Sequence, residues 1–500
     1  MTNLANQFTE IVRNNPNKTA IFWDKTEFSF SHAHSVAKCL ANRLKDQCDL
    51  QSGDRVALWL KNCPEFVFSL FGILLGEGVV VSINSFLTPD EVGFIVKDCD
   101  AKVVISEVSM AEGTAKLVKD NPSLQLIEVE SLNQSEPNDS LDFSSLEQAP
   151  EDLALIIYTS GTTGKPKGAM LSNYNLMSNV EAIVEAADIV IEDRMAVLLP
   201  MFHSFTMTVG LLLPMTRGLS IVAIKSLNPP KNIITEIIQH RATVMPAIPQ
   251  LYRAFVNITI PSGLLPLRVC FSGAAPLPIE VLNAFNENVG IPLLEGYGLS
   301  ETSPVACMNP LYGERKAGSV GLPLRGVEFQ IRNDDGMILP VNEPGEICIK
   351  GHNIMMGYWN NSEATEASIK DGWLLTGDIG HLDDDGYLYI TDRKKDMLLV
   401  NGINVYPREV EEVIYQFEGV SEVAVVGIND PRKGDLVVAC IVPGEEAEID
   451  ESGLKEFLKT KLAAYKLPRK MMIMESLPRN ATGKILKTKL RETASDRVGR

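Results

Sequence analysis

The sequence has little positive charge for its size. Of its 500 residues, 46 are Lys or Arg and 64 are Asp or Glu, which gives a net charge of −18. A general nucleic-acid-binding protein presents a basic face, so this balance argues against that class. It does not exclude phosphate binding, because a local nest of backbone N–H groups can hold a phosphate against a negative total charge.

Long apolar runs are also lacking. The two most apolar stretches are residues 66–83 and 205–224, and Gly, Pro and charged residues interrupt both. Neither offers about 20 uninterrupted apolar residues, so we expect buried core elements and no transmembrane segment. The first twelve residues show neither a basic nor an apolar region, so we expect no signal peptide.

Paired cysteines are lacking as well. The eight cysteines are scattered and no C-x-x-C spacing occurs. A disulfide framework or a zinc site is therefore not expected, and a reducing cytoplasm fits this usage.

What the sequence does show is an alternation of short apolar runs and helical patterns. The patterns predict strands at 54–59, 79–83 and 101–105, with a helix at 64–75 that has Pro at its first turn and a helix capped by Thr88. This alternation indicates an α/β protein with layered, mostly parallel sheets. At this length, two or three domains are expected.

The last hundred residues form a second β/α pattern of the size of a small domain. The predicted elements are helices at 407–417 and 452–462 and strands at 420–428, 436–442 and 471–474. A charged pentapeptide, residues 392–396, suits a hinge. We therefore predict an N-terminal domain at 1–391, a hinge at 392–396 and a C-terminal domain at 397–500.

The most informative segment follows a predicted strand at 153–159. Residues 159–168 read T-S-G-T-T-G-K-P-K-G, in which glycines let backbone N–H groups converge and hydroxyls and two lysines add donors. A flexible surface loop has a similar composition, but the preceding strand and the paired lysines favour polyphosphate binding. The spacing is not that of a Walker A loop.

With its preceding tyrosine, this string resembles the signature phosphate loop of the acyl-adenylate-forming superfamily. That superfamily includes acyl-CoA synthetases, luciferase-like enzymes and the adenylation domains of peptide synthetases. The resemblance implies that this loop binds ATP through a set of residues: Thr159, Ser160, Gly161, Thr162, Thr163, Gly164, Lys165 and Lys167.

Two further segments resemble the adenine-binding part of that family. In S-G-A-A-P, at 272–276, the resemblance implies that Gly273, Ala274 and Ala275 pack on adenine. By itself, this sequence could equally form an ordinary tight turn from a strand to a helix. In L-E-G-Y-G-L-S-E-T, at 294–302, it implies a nucleotide-binding set of Glu295, Gly296, Tyr297 and Gly298.

The last two residues of the second segment are the candidates for contact with the phosphates and their metal ion. The resemblance implies that Thr302 contacts the α-phosphate and that Glu301 holds Mg²⁺, a cation that prefers carboxylate and phosphate oxygens. The alternative is a polar loop with a structural tyrosine.

Downstream motifs appear in family order. W-L-L-T-G-D, at 373–378, resembles the ribose-binding segment and makes Asp378 the candidate, although single Asp residues in turns are commonly caps. The segment at 401–407 resembles the family loop that faces the thiol, which implies a role for Gly402, although Asn401 stands where many members have a glycine.

The segment between these two motifs reads Y-L-Y-I-T-D-R, at 387–393. By resemblance, Arg393 matches an arginine near ribose and phosphate, and Lys395 falls at the hinge. A tyrosine at position 390 would be a further candidate for the nucleotide-binding set. The residue there is Ile390, so this position is left without a binding residue.

The final motif is P-R-N-A-T-G-K, at 478–484. A terminal-loop lysine is ordinarily solvated, but the resemblance implies that Lys484 reaches the carboxylate of the acid and the α-phosphate.

Together the motifs imply a fold and a reaction. The fold would have a large N-terminal domain of αβ-layered subdomains with a β-barrel-like part, and a small mobile α+β C-terminal domain. The reaction would be attack of a carboxylate on the α-phosphorus of ATP, which requires aligned reactants and charge neutralisation rather than a side-chain nucleophile. The cofactors and co-substrates implied are ATP, Mg²⁺ and coenzyme A.

The identity of the acid depends on one segment. His203 lies in L-L-P-M-F-H-S-F-T-M-T-V-G and, by resemblance, lines the carboxylate end of the acid pocket; a buried structural histidine is the alternative. Apolar neighbours follow, and no acidic residue is near to recognise an amino group. We therefore expect a medium- or long-chain fatty acid.

Several alternatives remain open. They are an aryl acid, a carrier protein as acceptor and a non-catalytic binding module, which the presence of Lys484, Glu301 and Asp378 opposes. The sequence ends soon after Lys484 without a carrier domain, which favours free CoA. A homodimer and a peripheral membrane contact also stay open.

Overall fold

The computed structural model describes residues 2–134, 148–159, 166–229, 231–256, 258, 263–400, 403–430, 434–444, 447–479 and 485–498. Its α-helices are α1 Leu4–Asn14, α2 Phe30–Asp46, α3 Pro64–Leu75, α4 Pro89–Asp98, α5 Ala111–Asp120, α6 Asn173–Ala186, α7 Leu213–Arg217, α8 Lys231–Gln239, α9 Pro249–Val256, α10 Ile279–Asn288, α11 Ser362–Ser368, α12 Pro407–Tyr415, α13 Glu451–Lys461 and α14 Lys487–Val498.

The β-strands of the described residues are β1 Thr19–Trp23, β2 Thr26–Ser29, β3 Arg55–Leu58, β4 Val79–Ser82, β5 Ala101–Ser106, β6 Gln125–Glu128, β7 Leu153–Thr159, β8 Lys167–Ser172, β9 Arg194–Val197, β10 Ser220–Ala223, β11 Val244–Ala247, β12 Val269–Ser272, β13 Leu293–Gly298, β14 Val305–Met308, β15 Leu322–Pro323, β16 Val327–Arg332, β17 Gly345–Gly351, β18 Gly357–Tyr358, β19 Ile369–Lys370, β20 Trp373–Leu382, β21 Leu388–Arg393, β22 Leu398–Val400, β23 Ile403–Val405, β24 Val420–Asp430, β25 Gly434–Pro443 and β26 Lys470–Ile473.

Two large sheets dominate the first three quarters of the chain. One has the order β15-β14-β13-β12-β11-β9-β10-β1-β2, and the other has the order β18-β8-β7-β4-β3-β5-β6. Their central strands pair in parallel, and antiparallel strands lie at the edges. The predicted α/β fold with mostly parallel sheets is therefore confirmed.

The predicted barrel-like part is also present. Strands β16, β17, β20 and β19 form an antiparallel sheet, to which β21 adds by pairing with β20. This half-barrel carries the predicted ribose-binding segment on β20.

The main hydrophobic core lies between the sheets and the helices that cover them. It joins residues of both large sheets with buried faces of α1, α2, α3 and α6. Helix α3 is apolar around its circumference and is buried at every position except Glu65, as an all-round apolar helix must be.

Both apolar stretches considered as membrane candidates are thus core elements. The second stretch contains a π-helix at Thr206–Leu212, followed by α7 and β10, and all its residues from Thr206 to Leu213 are buried. Within the described residues, no helix is long and apolar enough to cross a bilayer.

The C-terminal residues have cores of their own. Strands β23, β22, β25 and β24 form a sheet that β26 joins in parallel with β25. Buried residues on either side of it form two clusters, one under α12 and α13 and one under α14.

The predicted hinge leads out of β21. Asp392, expected in a charged segment outside a core, is buried at the end of that strand. Its carboxylate accepts hydrogen bonds from the backbone N–H groups of Arg393 and Arg408, and these donors account for its burial.

Candidate active site

The strands on either side of the phosphate-loop motif form a β-hairpin. Strand β7 pairs antiparallel with β8, so Thr159 faces Lys167 and Tyr158 faces Gly168 across the hairpin. A Cβ on Gly168 would lie 2.8 Å from Ile156 and 3.1 Å from the Tyr158 ring, which explains the glycine. The loop itself, with the predicted Ser160, Gly161, Thr162, Thr163, Gly164 and Lys165, lies outside the described residues.

The second motif turns sharply after β13, and the turn requires glycine. A Cβ on Gly298 would lie 1.7 Å from the carbonyl oxygen of Pro304. Upstream, Glu295 is buried, and its Oε1 accepts a hydrogen bond from the backbone N–H of Leu277, 3.0 Å away. Burial raises the pKa of Glu295 to about 7, against the lowering effect of Arg408. Glu295 therefore fixes the end of the adenine-loop segment.

The adenine and ribose motifs meet directly. Tyr297 donates its phenolic hydrogen to Asp378 Oδ2 over 2.6 Å, and Arg393 Nε lies 3.2 Å from Asp378 Oδ1. Burial, and then the Asp378 carboxylate, raise the pKa of Tyr297 well above its usual range, so the phenol is a donor at neutral pH. Three residues predicted from separate motifs are thus one cluster.

Position 390 adds nothing to this cluster. Ile390 lies on β21 opposite Gly380, and its half-buried side chain packs against the main hydrophobic core. Its carbonyl oxygen accepts a hydrogen bond from Arg408 Nη1 at 2.9 Å. Position 390 therefore carries no binding residue, as the sequence analysis has it, because its aliphatic side chain has no hydroxyl to donate and belongs to the core.

The predicted magnesium ligand lies at the start of the phosphate hairpin. Glu301 Oε1 accepts hydrogen bonds from Tyr358 Oη at 2.9 Å and from Thr159 Oγ1 at 3.5 Å. Lys167 Nζ lies 5.1 Å above the Tyr358 ring, so a cation of the hairpin is held nearby. This arrangement brings a carboxylate, hydroxyls and an ammonium group together.

Thr302, which the resemblance assigns to the α-phosphate, has its hydroxyl bonded within its own turn. It is fully buried, and its Oγ1 donates to Leu299 O at 3.0 Å and contacts Pro304 O, while it accepts from the N–H of Leu299 at 2.8 Å. These bonds satisfy the hydroxyl within its own turn. In this structure Thr302 shapes the turn that carries Glu301, and its predicted contact with the α-phosphate stays a prediction.

The segment predicted to bind the acid lies beside the same turn. Ser204 Oγ and Ser300 Oγ are 3.1 Å apart, and His203 Nδ1 accepts from the backbone N–H of Phe205 at 3.3 Å. A Cβ on Gly273 would meet the Phe205 ring at 3.4 Å. The acid segment therefore contacts both the Glu301 turn and the adenine loop.

Some of the remaining candidate residues are described by the structure, and two are not. Ala274 and Ala275 follow Gly273 in the loop after β12, and Gly296 lies within β13 with its Cβ position 3.1 Å from Cys307 O. Lys395 is exposed beyond β21. Gly402 and Lys484 lie outside the described residues, so their predicted roles stay predictions.

Sequence reasoning missed Tyr358 and Ser204. Tyr358 belongs to a two-residue strand, β18, and Ser204 lies between His203 and Phe205 in the acid segment. The string G-Y-W at 357–359, a glycine before two aromatics, is the only local signal for the former.

Glu301 is the residue predicted to hold Mg²⁺. Among the described residues, no group of three or more His, Cys, Asp or Glu side chains could hold a metal ion. Glu301 would supply one hard oxygen ligand, which suits Mg²⁺ because this ion is commonly bound through one or two carboxylates together with substrate phosphates.

Comparisons with known proteins show the family to which the chain belongs. The family model described as AMP-binding enzyme matches residues 8–359, and the model of the AMP-binding enzyme C-terminal domain matches residues 409–484. The long-chain-fatty-acid–CoA ligase of Bacillus subtilis is 34% identical over 523 residues, covering 96% of this chain and 92% of that protein.

Solved structures are similar over the whole chain. ATP-bound MatB from Rhodopseudomonas palustris aligns with a TM-score of 0.91 at 31% identity, over 99% of each chain. The anthranilate CoA ligase AuaEII in complex with anthranoyl-AMP has a TM-score of 0.91 at 29% identity, over 100% of this chain and 98% of that one. The chain therefore belongs to the AMP-binding enzyme family and is an AMP-forming acid–thiol ligase.

Proposed function

We propose that this protein activates a medium- or long-chain fatty acid with ATP and transfers the acyl group to coenzyme A. One observation carries the proposal: the turn from Tyr297 to Glu301 contacts all three predicted parts of the site. Tyr297 bonds Asp378, Ser300 lies against Ser204, and Glu301 accepts from Thr159. A nucleotide and an acid held on either side of this turn would meet at the α-phosphorus.

The chemistry follows from that placement. The carboxylate oxygen of the acid attacks the α-phosphorus, the bond to the β-phosphate oxygen breaks, and acyl-AMP and pyrophosphate form. The CoA thiol then attacks the acyl carbon, which releases AMP and yields the thioester. In both steps the side chains orient reactants and offset charge rather than form a covalent intermediate.

Individual residues take defined parts in this scheme. Asp378 accepts from the ribose hydroxyls and is itself fixed by Tyr297 and Arg393. Lys484 neutralises charge between the carboxylate and the α-phosphate. Glu301 would hold Mg²⁺, which offsets the charge of the phosphates when bound.

The choice of a fatty acid is supported by the lining of the acid segment. Met207, Val209 and Leu211 are fully or nearly fully buried after His203, in a π-helix whose side chains are apolar or hydroxyl-bearing apart from Gly210. The Bacillus subtilis relative, named a long-chain-fatty-acid–CoA ligase, supports the same choice. None of the eight cysteines, all of which lie among the described residues, forms a disulfide bond, which supports a reducing, cytoplasmic setting.

An aryl acid is the second candidate. It is favoured by the alignment with an anthranilate CoA ligase and by the Phe205 ring lying against the Gly273 position, where a flat acid would stack. The acceptor has a second candidate too, a carrier protein in place of CoA.

A substrate panel decides among these. Purified protein is given ATP and Mg²⁺ with straight-chain acids from acetic to octadecanoic acid, with benzoic, anthranilic and ferulic acids, and with malonate, and pyrophosphate release is measured. Thioester formation is then scored with CoA and with a holo-carrier protein. With CoA as acceptor, we expect the highest kcat/KM for a straight-chain acid of eight or more carbons. This value should be about tenfold above that for any aryl acid. Preference for an aryl acid, or turnover only with the carrier protein, would overturn the proposal.

A further inference from the structure

The Glu301 carboxylate is held from one side. Both hydroxyl donors that reach it, Tyr358 Oη and Thr159 Oγ1, contact the same oxygen, Oε1. Among the described residues, no donor is bonded to Oε2. A carboxylate gripped by one oxygen presents the other in a fixed direction, as is usual for carboxylates that bind metals.

The segment that carries Tyr358 is hydrogen-bonded to the Glu301 turn and to the phosphate hairpin. The N–H of Met355 donates to Glu301 O at 2.9 Å, and the N–H of Trp359 donates to Gly168 O at 2.8 Å. Between them, β18 pairs with β8, so that Tyr358 lies opposite Ala169. The phenol therefore has a set position relative to the Glu301 turn and the phosphate hairpin at once.

Two more contacts hold Tyr358 in place, one through its backbone N–H and one at its ring. Its own N–H donates to Thr365 Oγ1 at 2.9 Å, and the residue is 9% exposed. Lys167 lies over one face of the ring. A phenol oriented in this way donates without adding charge, so it fixes the carboxylate without neutralising it.

We propose that Tyr358 is a positioning residue for the cation site, which orients Glu301 so that Oε2 faces the metal bound with ATP. The inference rests on the proposed function, which assigns Mg²⁺ to Glu301. Thr159 is the weaker partner in the same role, because its contact is longer.

The test removes only the hydroxyl. Tyr358→Phe keeps the ring under Lys167 and the pairing of β18 with β8. Tyr387→Phe is a matched control, because Tyr387 is also buried, also lies under a lysine (Lys316, 4.5 Å) and also donates its hydroxyl, to Glu314 O at 2.6 Å. The control lies outside the proposed site.

Two readouts are compared in the full-length protein. The first is the Mg²⁺ concentration that gives half-maximal acid-dependent ATP–pyrophosphate exchange. The second does not depend on turnover: the rise in melting temperature caused by ATP alone and by ATP with Mg²⁺, in the absence of acid. Loss of an outer hydrogen bond to a metal ligand costs about 10- to 100-fold in metal affinity.

The expected result is an increase of about tenfold or more in the Mg²⁺ requirement of Tyr358→Phe. Its stabilisation by ATP alone would match wild type, and the added stabilisation by Mg²⁺ would appear only at correspondingly higher Mg²⁺ concentrations. Tyr387→Phe would behave as wild type in both. A wild-type Mg²⁺ response in Tyr358→Phe overturns the inference and leaves the proposed function intact.

Two other outcomes also decide the question. If wild type shows no Mg²⁺ requirement and no added stabilisation, the proposed role of Glu301 fails and the inference fails with it. If Tyr358→Phe does not fold, Thr159→Val supplies the answer: a smaller increase in the Mg²⁺ requirement with unchanged stabilisation by ATP alone supports the inference, and no increase, or an equal loss of stabilisation by ATP alone, overturns it.

Discussion

The phenol of Tyr297 donates to the carboxylate of Asp378 over 2.6 Å, and this bond joins two motifs that lie 81 residues apart in the sequence. Tyr297 lies on strand β13 of the nine-stranded sheet, whereas Asp378 lies on β20 of the half-barrel. Their contact fixes the side of the nucleotide site where the two sheets meet.

Removing that phenol should weaken nucleotide binding. In Tyr297→Phe the Asp378 carboxylate keeps Arg393 but loses one hydrogen bond, and a hydrogen bond to a charged group contributes about 1.5–3 kcal/mol. We expect the KM for ATP to rise about tenfold or more, and the KM for the acid to stay within about twofold. An unchanged KM for ATP in exchange assays would contradict the role of this pair.

Lys484 should be needed for one half-reaction only. Lys484→Ala removes a charge that the proposal places at the attacked phosphorus, and the loss of one such group costs about 100- to 1,000-fold. We expect pyrophosphate exchange to fall by that factor, while conversion of supplied acyl-AMP and CoA to thioester is spared. Equal loss of both half-reactions would count against separate arrangements for the two steps.

Phe205 should control which acid is accepted. Its ring lies against Gly273, so Phe205→Ala opens space beside the adenine loop. We expect kcat/KM for the best straight-chain acid to fall about tenfold, because pocket contacts of this size contribute about 1–3 kcal/mol, while the KM for ATP stays within about twofold. Steady-state kinetics on two acids of different width measure the change, and an equal effect on both acids and on ATP would show a general packing defect instead.

Glu295 should make stability fall as the pH rises. Burial raises its pKa in the folded protein to about 7, from the ordinary 4.5. Between those pH values the Glu295 carboxyl is protonated in the folded state and ionised in the unfolded state. The free energy of unfolding therefore declines by roughly 3 kcal/mol at most between about pH 4.5 and about pH 7. Above that pH the contribution of Glu295 is constant. The isosteric Glu295→Gln keeps the acceptor for Leu277 N–H and should flatten this decline.

Urea unfolding at several pH values tests that expectation. The exposed Glu287→Gln is the control, since its carboxyl lies on the outer face of α10. The same slope in Glu295→Gln and in wild type would show that Glu295 does not retain its proton.

Much of the fold could be predicted because its signals are local. Helix α3 begins at Pro64 and ends at Leu75, as its proline and the following glycine predict, and β7 matches its apolar run from Leu153 to Thr159. Thr88 forms a capping box with Glu91 at the start of α4. The helix predicted at 407–417 ends two residues earlier, at Tyr415.

The side-chain partners could not be predicted in the same way. Tyr358 reaches Glu301 because a strand of two residues pairs with β8, and a pair so short and so distant in sequence leaves no periodic pattern. The charged residues 392–396 predict that Asp392 lies outside a core. The structure buries it, because two backbone N–H groups donate to its carboxylate. The family resemblance assigns Thr302 to phosphate, yet its hydroxyl is satisfied within its own turn.

The most direct test of the central claim is a two-step experiment on wild-type protein. The protein is mixed with ATP, Mg²⁺ and a labelled long-chain fatty acid without CoA, the bound products are identified, and CoA is then added. We predict bound acyl-AMP with release of pyrophosphate in the first step, and conversion of that acyl-AMP to acyl-CoA and AMP in the second. Formation of ADP and phosphate, or of acyl-CoA without an acyl-AMP that CoA can discharge, would contradict the account.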